Sequence, residues 1–503
     1  MDNQAHYRIH ISKLNEVYLK IECDNPGICY ELVQYFTFEV PGHKFMPAYR
    51  NKMWDGKIRL FSDKTGKIYV GLLDYIKEFC DRNEIGYDID DDVDDTKNVD
   101  KNNVEDFIKS LKPKSKGKDL TLRDYQSEAI WYGISKNRGM LISPTASGKS
   151  LIIYALIRYY NLLLRDKKIL ILVPTTSLVE QMYSDFIDYG WDDKYLHRIY
   201  QGHEKDTDKP VIISTWQSLY KLDKKYFENF GCVVGDEAHL FKSKSLTTIM
   251  TKLINCKYRF GMTGTLDGTQ THRLVLEGLF GKVKKVTTTK ELIDKDTLAS
   301  LKIKCIVLKH KEEDCKAVKD LKYSEEIQYI VSHKTRNDFI SRLCDNLSGN
   351  TLCLYQLVEK HGLVLYNLMK DFNRKVFFIH GGVDTEDREK IRAITEKETN
   401  AIIIASYGTF STGINIRNLH NVVFASPSKS RIRVLQSIGR GLRKSDKGDI
   451  YTTLLDIADD FSYKDRKNFT LNHFLERINI YNEEQFEYKI DKIRIRTKIQ
   501  QKS

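Results

Sequence analysis

Gly139-Met140-Leu141-Ile142-Ser143-Pro144-Thr145-Ala146-Ser147-Gly148-Lys149-Ser150, continued by LIIYALIRYY, is the stretch on which the reading of the fold turns. An apolar run, a tight loop closing on Gly-Lys-Ser and a helical pattern make a strand, a loop and a helix, the arrangement that cradles nucleotide phosphates. The loop's backbone N–H groups and the positive end of the helix point at the phosphates. Lys149 is placed to reach the β- and γ-phosphates and Ser150 to ligate Mg²⁺. Pro144, Thr145, Ala146 and Ser147 form the rest of the loop, and Gly148 allows close backbone approach. Two positions depart from the common patterns. Ser143 stands where GxxxxGK[ST] has its first glycine, and Ala146 replaces a glycine of the A-P-T-G-S-G-K-T form.

Downstream, the apolar run Cys232-Val233-Val234-Gly235 ends in Asp236-Glu237-Ala238-His239. A strand ending in paired acids after a phosphate loop supplies a Mg²⁺ ligand, Asp236, and a general base for water, Glu237. Around these motifs lie further buried-strand patterns: KILILVP, VIIST and YRFGMTGT, then TLCLY, KVFFIH, AIIIAS, NVVFAS and YTTLLDI. Apolar runs separated by helical patterns predict parallel sheets covered on both faces. The number of runs predicts two RecA-like doubly wound α/β domains in tandem.

The remaining chain sorts around these two domains. Residues 1–87 read as a small α+β domain, with YLKIEC and KIRLF as strands and LLDYIKEFC as a helix. Residues 88–118 read as a linker, opening on DIDDDVDD and holding a short helix, VEDFIKSL. So charged a stretch has little apolar surface to bury, and it lacks the glycine-turned pattern of a calcium loop. The two α/β domains are expected at 119–300 and 301–460, with a short helical tail over 461–503. That tail ends in the basic run KIRIRTKIQQK, which is either a DNA contact or a solvated surface.

Composition narrows the partners. The chain has 503 residues, a net charge of +12 and 30% charged residues, which suits a polyanionic partner. No apolar run is long enough to span a bilayer, and the N-terminus has no signal-peptide core, so a cytoplasmic protein without a membrane partner is expected. The nine cysteines include no C-x-x-C pair, which argues against a zinc ribbon or iron–sulfur cluster and for reduced, buried thiols.

The order of motifs resembles superfamily 2 helicases, whose motif II is matched by Asp236-Glu237-Ala238-His239. Arg123-Asp124-Tyr125-Gln126 resembles the Q motif, in which Gln126 reads the adenine edge. Pro174-Thr175-Thr176 and Ser214-Thr215-Trp216 resemble motifs Ia and Ib, which grip nucleic-acid phosphates. Thr263-Gly264-Thr265 resembles motif III and, with His239, couples hydrolysis to strand handling. Ser406 to Asn415, with Thr409 and Gly413, resembles motif V. Gln436 to Arg443 resembles motif VI, in which Gln436 approaches the nucleotide while Arg440 and Arg443 face the γ-phosphate. The resemblance implies an ATP- and Mg²⁺-dependent motor in which ATP draws the two domains together.

Within that superfamily the chain resembles the UvsW family of phage recombination helicases over nearly its whole length. The signature is Phe45-Met46-Pro47-Ala48-Tyr49-Arg50-Asn51-Lys52-Met53-Trp54-Asp55-Gly56-Lys57-Ile58-Arg59-Leu60. Matches also fall at Pro174-Thr175-Thr176, at Gly413-Ile414 and from Phe280-Gly281 to Thr289. Ala238 stands where the family form carries a cysteine. The resemblance implies a DNA enzyme of recombination, repair and replication restart. It would act on branched or single-stranded DNA, or an RNA–DNA hybrid, in the host cytoplasm. It would be a monomer when free, with recombination or single-strand-binding proteins as partners. Arg50, Lys52 and Trp54, interleaved with aromatics, suit stacking plus phosphate contact, while a small domain with its aromatics in the core is the equal alternative. An RNA helicase, a restriction-system motor subunit and an inactive binding module are the other readings. The intact Lys149, Ser150, Asp236, Glu237, Arg440 and Arg443 oppose the last.

Overall fold

The computed structural model describes residues 7–94, 99–413, 416, 418–428, 430–442 and 451–495. It divides into two compact units: Met1–Ser143 with Gly148–Val286, and Pro144–Ser147 with Thr287–Ser503. None of the described helices is long and apolar enough to cross a membrane.

The first unit opens with a four-stranded sheet in the order Lys67–Tyr69, Tyr18–Cys23, Arg8–Lys13, Gly86–Ile89. Strict alternation builds it: Ile9 and Ile11 point into the core while His10 and Ser12 do not. Helices Pro26–Tyr35 and Leu73–Arg82 bury Ile28, Leu32, Ile76 and Phe79 in the same core. The last strand pairs parallel with Arg8–Lys13 and runs two residues into the segment read as linker. The acidic run that follows is fastened to this domain. Val93 is buried in its core, Arg8 pairs with Asp88 at 2.8 Å and Lys77 with Asp94 at 3.1 Å. The expected short helix spans Lys101–Leu111 and packs Val104, Ile108 and Leu111 into the core of the first motor domain.

That motor domain is a seven-stranded sheet, ordered Leu196–Ile199, Val211–Thr215, Lys168–Val173, Phe230–Asp236, Tyr258–Thr263, Arg138–Ile142, Val283–Lys285. All its pairings are parallel. Central strands are apolar throughout because helices cover both faces, and Phe230–Asp236 is buried at every position. The N-terminal domain sits on this sheet's flank. Glu277, fully buried, accepts a hydrogen bond from the Tyr75 hydroxyl at 2.6 Å and from the Val283 amide at 3.0 Å. Gly71 lies so near that an added Cβ would stand 2.0 Å from the Glu277 carbonyl oxygen.

The second unit repeats the architecture with seven strands in the order Val376–Ile379, Ile402–Ser406, Thr351–Tyr355, Asn421–Phe424, Thr452–Asp460, Leu301–Lys309, Tyr488–Arg494. Helix Phe469–Glu483 is the helix of the tail. The strand after it pairs parallel with Leu301–Lys309, so Lys492, Ile493 and Arg494 of the basic run form the sheet's edge. All nine cysteines are free thiols, and seven of them are buried.

Candidate nucleotide site and motor motifs

Three strands deliver the site to one sheet edge. The motif III strand Tyr258–Thr263 lies between the phosphate-loop strand and the acid-box strand, with Met262 beside Asp236 and Thr263 beside Ile142. The loop is tied at its start by the Ser143 amide, which donates to the Thr263 carbonyl at 2.8 Å. It is also tied internally by the Ser147 hydroxyl, 2.6 Å from the Pro144 carbonyl. Gly148 enters the helix Lys149–Leu163 at φ +84°, and an added Cβ there would lie 2.2 Å from Gln126 Nε2. Only glycine meets both conditions. Ala146 takes φ +67° in the same loop, a conformation an alanine holds at a cost of about 1–2 kcal/mol.

Gln126 is buried. Its Oε1 accepts the Arg123 amide at 2.8 Å, capping the helix Asp124–Lys136, while the Arg123 guanidinium donates to the Tyr125 hydroxyl at 2.8 Å. The Q-motif glutamine thus braces the phosphate loop from behind. Its contact with Gly148 could not be read from the motif, because it depends on where two separate helices meet.

Asp236 ends its strand buried, and Glu237 follows in the left-handed region at φ +50°, which turns its carboxylate to within 4.0 Å of Lys149 Nζ. Hard oxygens at a helix start and a strand end, from Ser150 and Asp236, are the donor chemistry that Mg²⁺ takes. His239 Nδ1 lies 2.9 Å from Thr263 Oγ1, and that hydroxyl donates onward to the Thr265 carbonyl at 3.0 Å. Burial pushes the His239 pKa down despite the neighbouring Glu237, which favours the uncharged ring. A cluster that motif reading missed lies beside it. Lys242 and His272 both contact Asp267, whose pKa falls to about 2. Its burial acts upward, but the hydrogen bonds from Lys242, the Thr269 amide and His272 outweigh it.

The expected nucleic-acid residues divide by exposure. Pro174 follows the strand Lys168–Val173, Thr215 ends the neighbouring strand and is buried, Thr175 caps the helix Thr176–Asp188, and Thr176 is exposed. Trp216 begins the short helix Trp216–Leu219. Ser214 does not fit the expectation. It is fully buried with its hydroxyl 3.0 Å from the Ile199 carbonyl, because the strand Val211–Thr215 is covered on both faces and buried at every position. Ser406 and Thr409 share a 2.7 Å hydrogen bond at the start of the helix Tyr407–Gly413, which includes Gly413. Gln436 is half-buried on the helix Arg431–Gly441. Arg443 and the Arg440 side chain lie outside the described residues.

In the N-terminal signature both readings of the aromatic–basic segment meet. Trp54 is half-buried with its indole N–H on the Lys57 carbonyl at 2.9 Å, and Tyr49 packs edge-on against buried His43. Arg50 and Lys52 are exposed, beside Phe45 and Met53, whose side chains are 84% and 80% exposed. A histidine–carboxylate cluster, His310, Asp314 and His333, brings its donor atoms within 4.8 Å of one another. His333 Nδ1 accepts the Arg336 amide, His310 Nε2 contacts Asp459 and the Tyr329 hydroxyl donates to Asp314. These bonds account for the cluster as a structural network.

Comparison with known proteins follows the same divisions. The family model "DNA helicase UvsW, N-terminal" matches residues 8–92, "Type III restriction enzyme, res subunit" residues 119–268, and "Helicase conserved C-terminal domain" residues 335–445. The chain is 36% identical over 501 residues to the ATP-dependent DNA helicase uvsW of Enterobacteria phage T4, covering 96% of this chain and 98% of that one. It aligns with the crystal structure of T4 UvsW at TM-score 0.53 and 34% identity, over 97% of this chain and 100% of that one. A fragment of a putative HsdR subunit of a type I restriction enzyme from Vibrio vulnificus YJ016 aligns at TM-score 0.55 and 19% identity, over 83% of this chain and 73% of that one. At that identity the likeness shows the motor fold alone.

Proposed function

The chain belongs to the UvsW family of superfamily 2 ATP-dependent DNA helicases, and on that footing we propose that it remodels branched DNA. The proposed reactions are branch migration, fork regression and unwinding of D-loops or RNA–DNA loops, in recombination, repair and replication restart. The observation that carries this reading is the N-terminal domain, docked on the first motor domain through Tyr75 and Glu277, with Phe45, Arg50, Lys52 and Met53 presented outward. Exposed apolar side chains beside cations suit a site where duplex meets unpaired bases, by stacking and phosphate contact together.

In this proposal Lys149 holds the β- and γ-phosphates and Glu237 polarises the attacking water. Gln126 bears on the adenine edge, and Arg440 and Arg443 stabilise transition-state charge. Mg²⁺, held by Ser150 and Asp236, supplies neutralisation of the phosphate oxygens. His239, Thr263 and Thr265 pass the state of the acid box to the strand-gripping edge formed by Pro174, Thr175, Thr176, Thr215 and Trp216, with Ser406 and Thr409 gripping from the second motor domain. The enzyme is proposed to work as a monomer in the host cytoplasm, with recombination or single-strand-binding proteins as partners.

The test is ATP turnover with matched amounts of single-stranded, duplex, forked and four-way-junction DNA and of RNA duplex, followed by analysis of strand products. Strongest activation by forks or junctions, with regressed or unwound products, is expected. Strongest activation by RNA duplex, or by plain duplex without strand separation, would overturn the branched-DNA assignment.

A further inference from the structure

The segment Ala425-Ser426-Pro427-Ser428 connects the strand Asn421–Phe424 to the helix Arg431–Gly441, which carries motif VI. It is buried from end to end. Buried carbonyls need partners, and here the partners are side chains from three other helices. Arg336 Nη2 donates to the Ala425 carbonyl at 2.6 Å. The Tyr407 hydroxyl, from the first residue of the motif V helix, donates to the Ser426 carbonyl at 3.0 Å. Arg477 Nη1, from the C-terminal helix Phe469–Glu483, donates to the Ser428 carbonyl at 2.8 Å. The Ser426 hydroxyl is held as well, by the Gln356 amide at 3.1 Å and by His361 Nδ1 at 2.7 Å. His361 comes from the π-helical turn Val358–Gly362, a geometry that recurs at functional sites.

The two arginines are themselves fixed. Arg336 Nε contacts both Asp459 oxygens at 2.9 and 2.8 Å. Arg477 contacts Asp456 through Nε and through Nη2 at 2.7 Å, and the Tyr481 hydroxyl donates to the same carboxylate at 2.8 Å. Both aspartates lie on the strand Thr452–Asp460 and both pairs are fully buried. A buried ion pair contributes little net stability compared with an apolar replacement of the same shape. What it does supply is direction, since a guanidinium held on one edge presents its other N–H groups at fixed angles. In each case one remaining guanidinium nitrogen, Nη2 of Arg336 and Nη1 of Arg477, meets the backbone that leads into motif VI.

We propose that Arg477, Arg336 and Tyr407 are positioning residues for ATP hydrolysis. They clamp residues 425–428, and through them set the placement of the motif VI helix. The C-terminal helix is then part of the ATPase machinery, and Tyr407 ties motif V to motif VI through one carbonyl. This inference rests on the proposed roles of Arg440 and Arg443, and it goes beyond them by naming what holds the segment that leads into their helix.

The experiment measures ATP turnover of the full chain at saturating DNA, with kcat and KM for ATP separated, beside thermal melting. Two variants are used: Tyr407→Phe, and the triple variant Arg477→Met/Asp456→Leu/Tyr481→Phe, which replaces the buried ionic group by apolar side chains of similar size. The expected result is a melting temperature near that of the parent with kcat reduced about tenfold or more and KM for ATP changed less than about threefold, the signature of a transition-state effect. Parental kcat in a folded triple variant, or equal losses in kcat and melting temperature, overturns the proposal. If the triple variant does not fold, Tyr407→Phe decides alone by the same split. Turnover in the parent protein is the control: without it the motor reading fails, whereas an active parent with active variants sinks only this inference.

Discussion

His239 and Thr263 are joined side chain to side chain, imidazole Nδ1 to hydroxyl at 2.9 Å, linking the acid box to the neighbouring motif III strand. Because the hydroxyl also donates to the Thr265 carbonyl, the imidazole N–H is the donor in this pair. Thr263→Val keeps the shape and removes the link. ATP turnover is expected to stay within about threefold of the parent while strand separation per ATP falls about tenfold. Equal loss in both assays would place the bond in hydrolysis or folding and not in coupling.

Lys149→Ala is expected to abolish ATP turnover and leave much of the DNA binding, read by filter retention or anisotropy. Unchanged turnover would remove the phosphate-loop assignment. Arg443→Ala is expected to slow hydrolysis by about 100-fold or more, with a smaller loss in ATP affinity, as for an arginine that meets charge formed in the transition state.

Gly71→Ala tests the seat of the N-terminal domain. Its Cβ would stand 2.0 Å from the Glu277 carbonyl oxygen, so backbone must shift. A destabilisation of about 1–3 kcal/mol is expected in urea melts, with faster proteolytic release of the N-terminal domain. Tyr75→Phe is expected to do the same more mildly, leaving the buried Glu277 carboxylate one donor short.

Acid is expected to weaken the second motor domain. Burial pushes His361 down to about 3, with the Arg336 charge adding to it. The unfolded chain, at about 6.5, binds the proton that the folded chain refuses between those values. The stabilisation is therefore complete above about pH 6.5 and is lost as pH falls toward 3, on the order of 5 kcal/mol at most. Denaturant melts between pH 7.5 and 5 should show stability declining in the parent and declining less steeply in His361→Gln. Identical slopes would show that His361 is not the group responsible.

The N-terminal signature gives a salt-dependent prediction. Arg50 and Lys52 are exposed and free to meet phosphates, so Arg50→Ala/Lys52→Ala should flatten the dependence of log affinity on log salt by about two. Phe45→Ala should leave that slope alone and reduce the preference for forks over plain duplex. A full preference in that variant would assign the exposed ring no part in junction recognition.

The sequence by itself determined the order of the layers and the chemistry of the edge. Apolar runs at strand length, helices between them, a Gly-Lys-Ser turn and an Asp-Glu strand end are local patterns, written in consecutive residues. They were sufficient to expect two parallel sheets and to place Lys149, Ser150, Asp236 and Glu237 on one of them. Tertiary structure decided what depends on residues far apart in the chain. Tyr75 meets Glu277 across 202 positions, Ser214 lies in a strand covered on both faces, and Tyr488–Arg494 returns as a strand beside Leu301–Lys309. Arg336 and Arg477 stand on the helices Lys334–Asn346 and Phe469–Glu483. Only the packing of those helices against the strand Thr452–Asp460 brings them to buried aspartates and to the carbonyls of residues 425 and 428. Periodicity shows which face of a helix is apolar, but a buried polar contact is specified jointly by two segments, so neither segment reveals it alone.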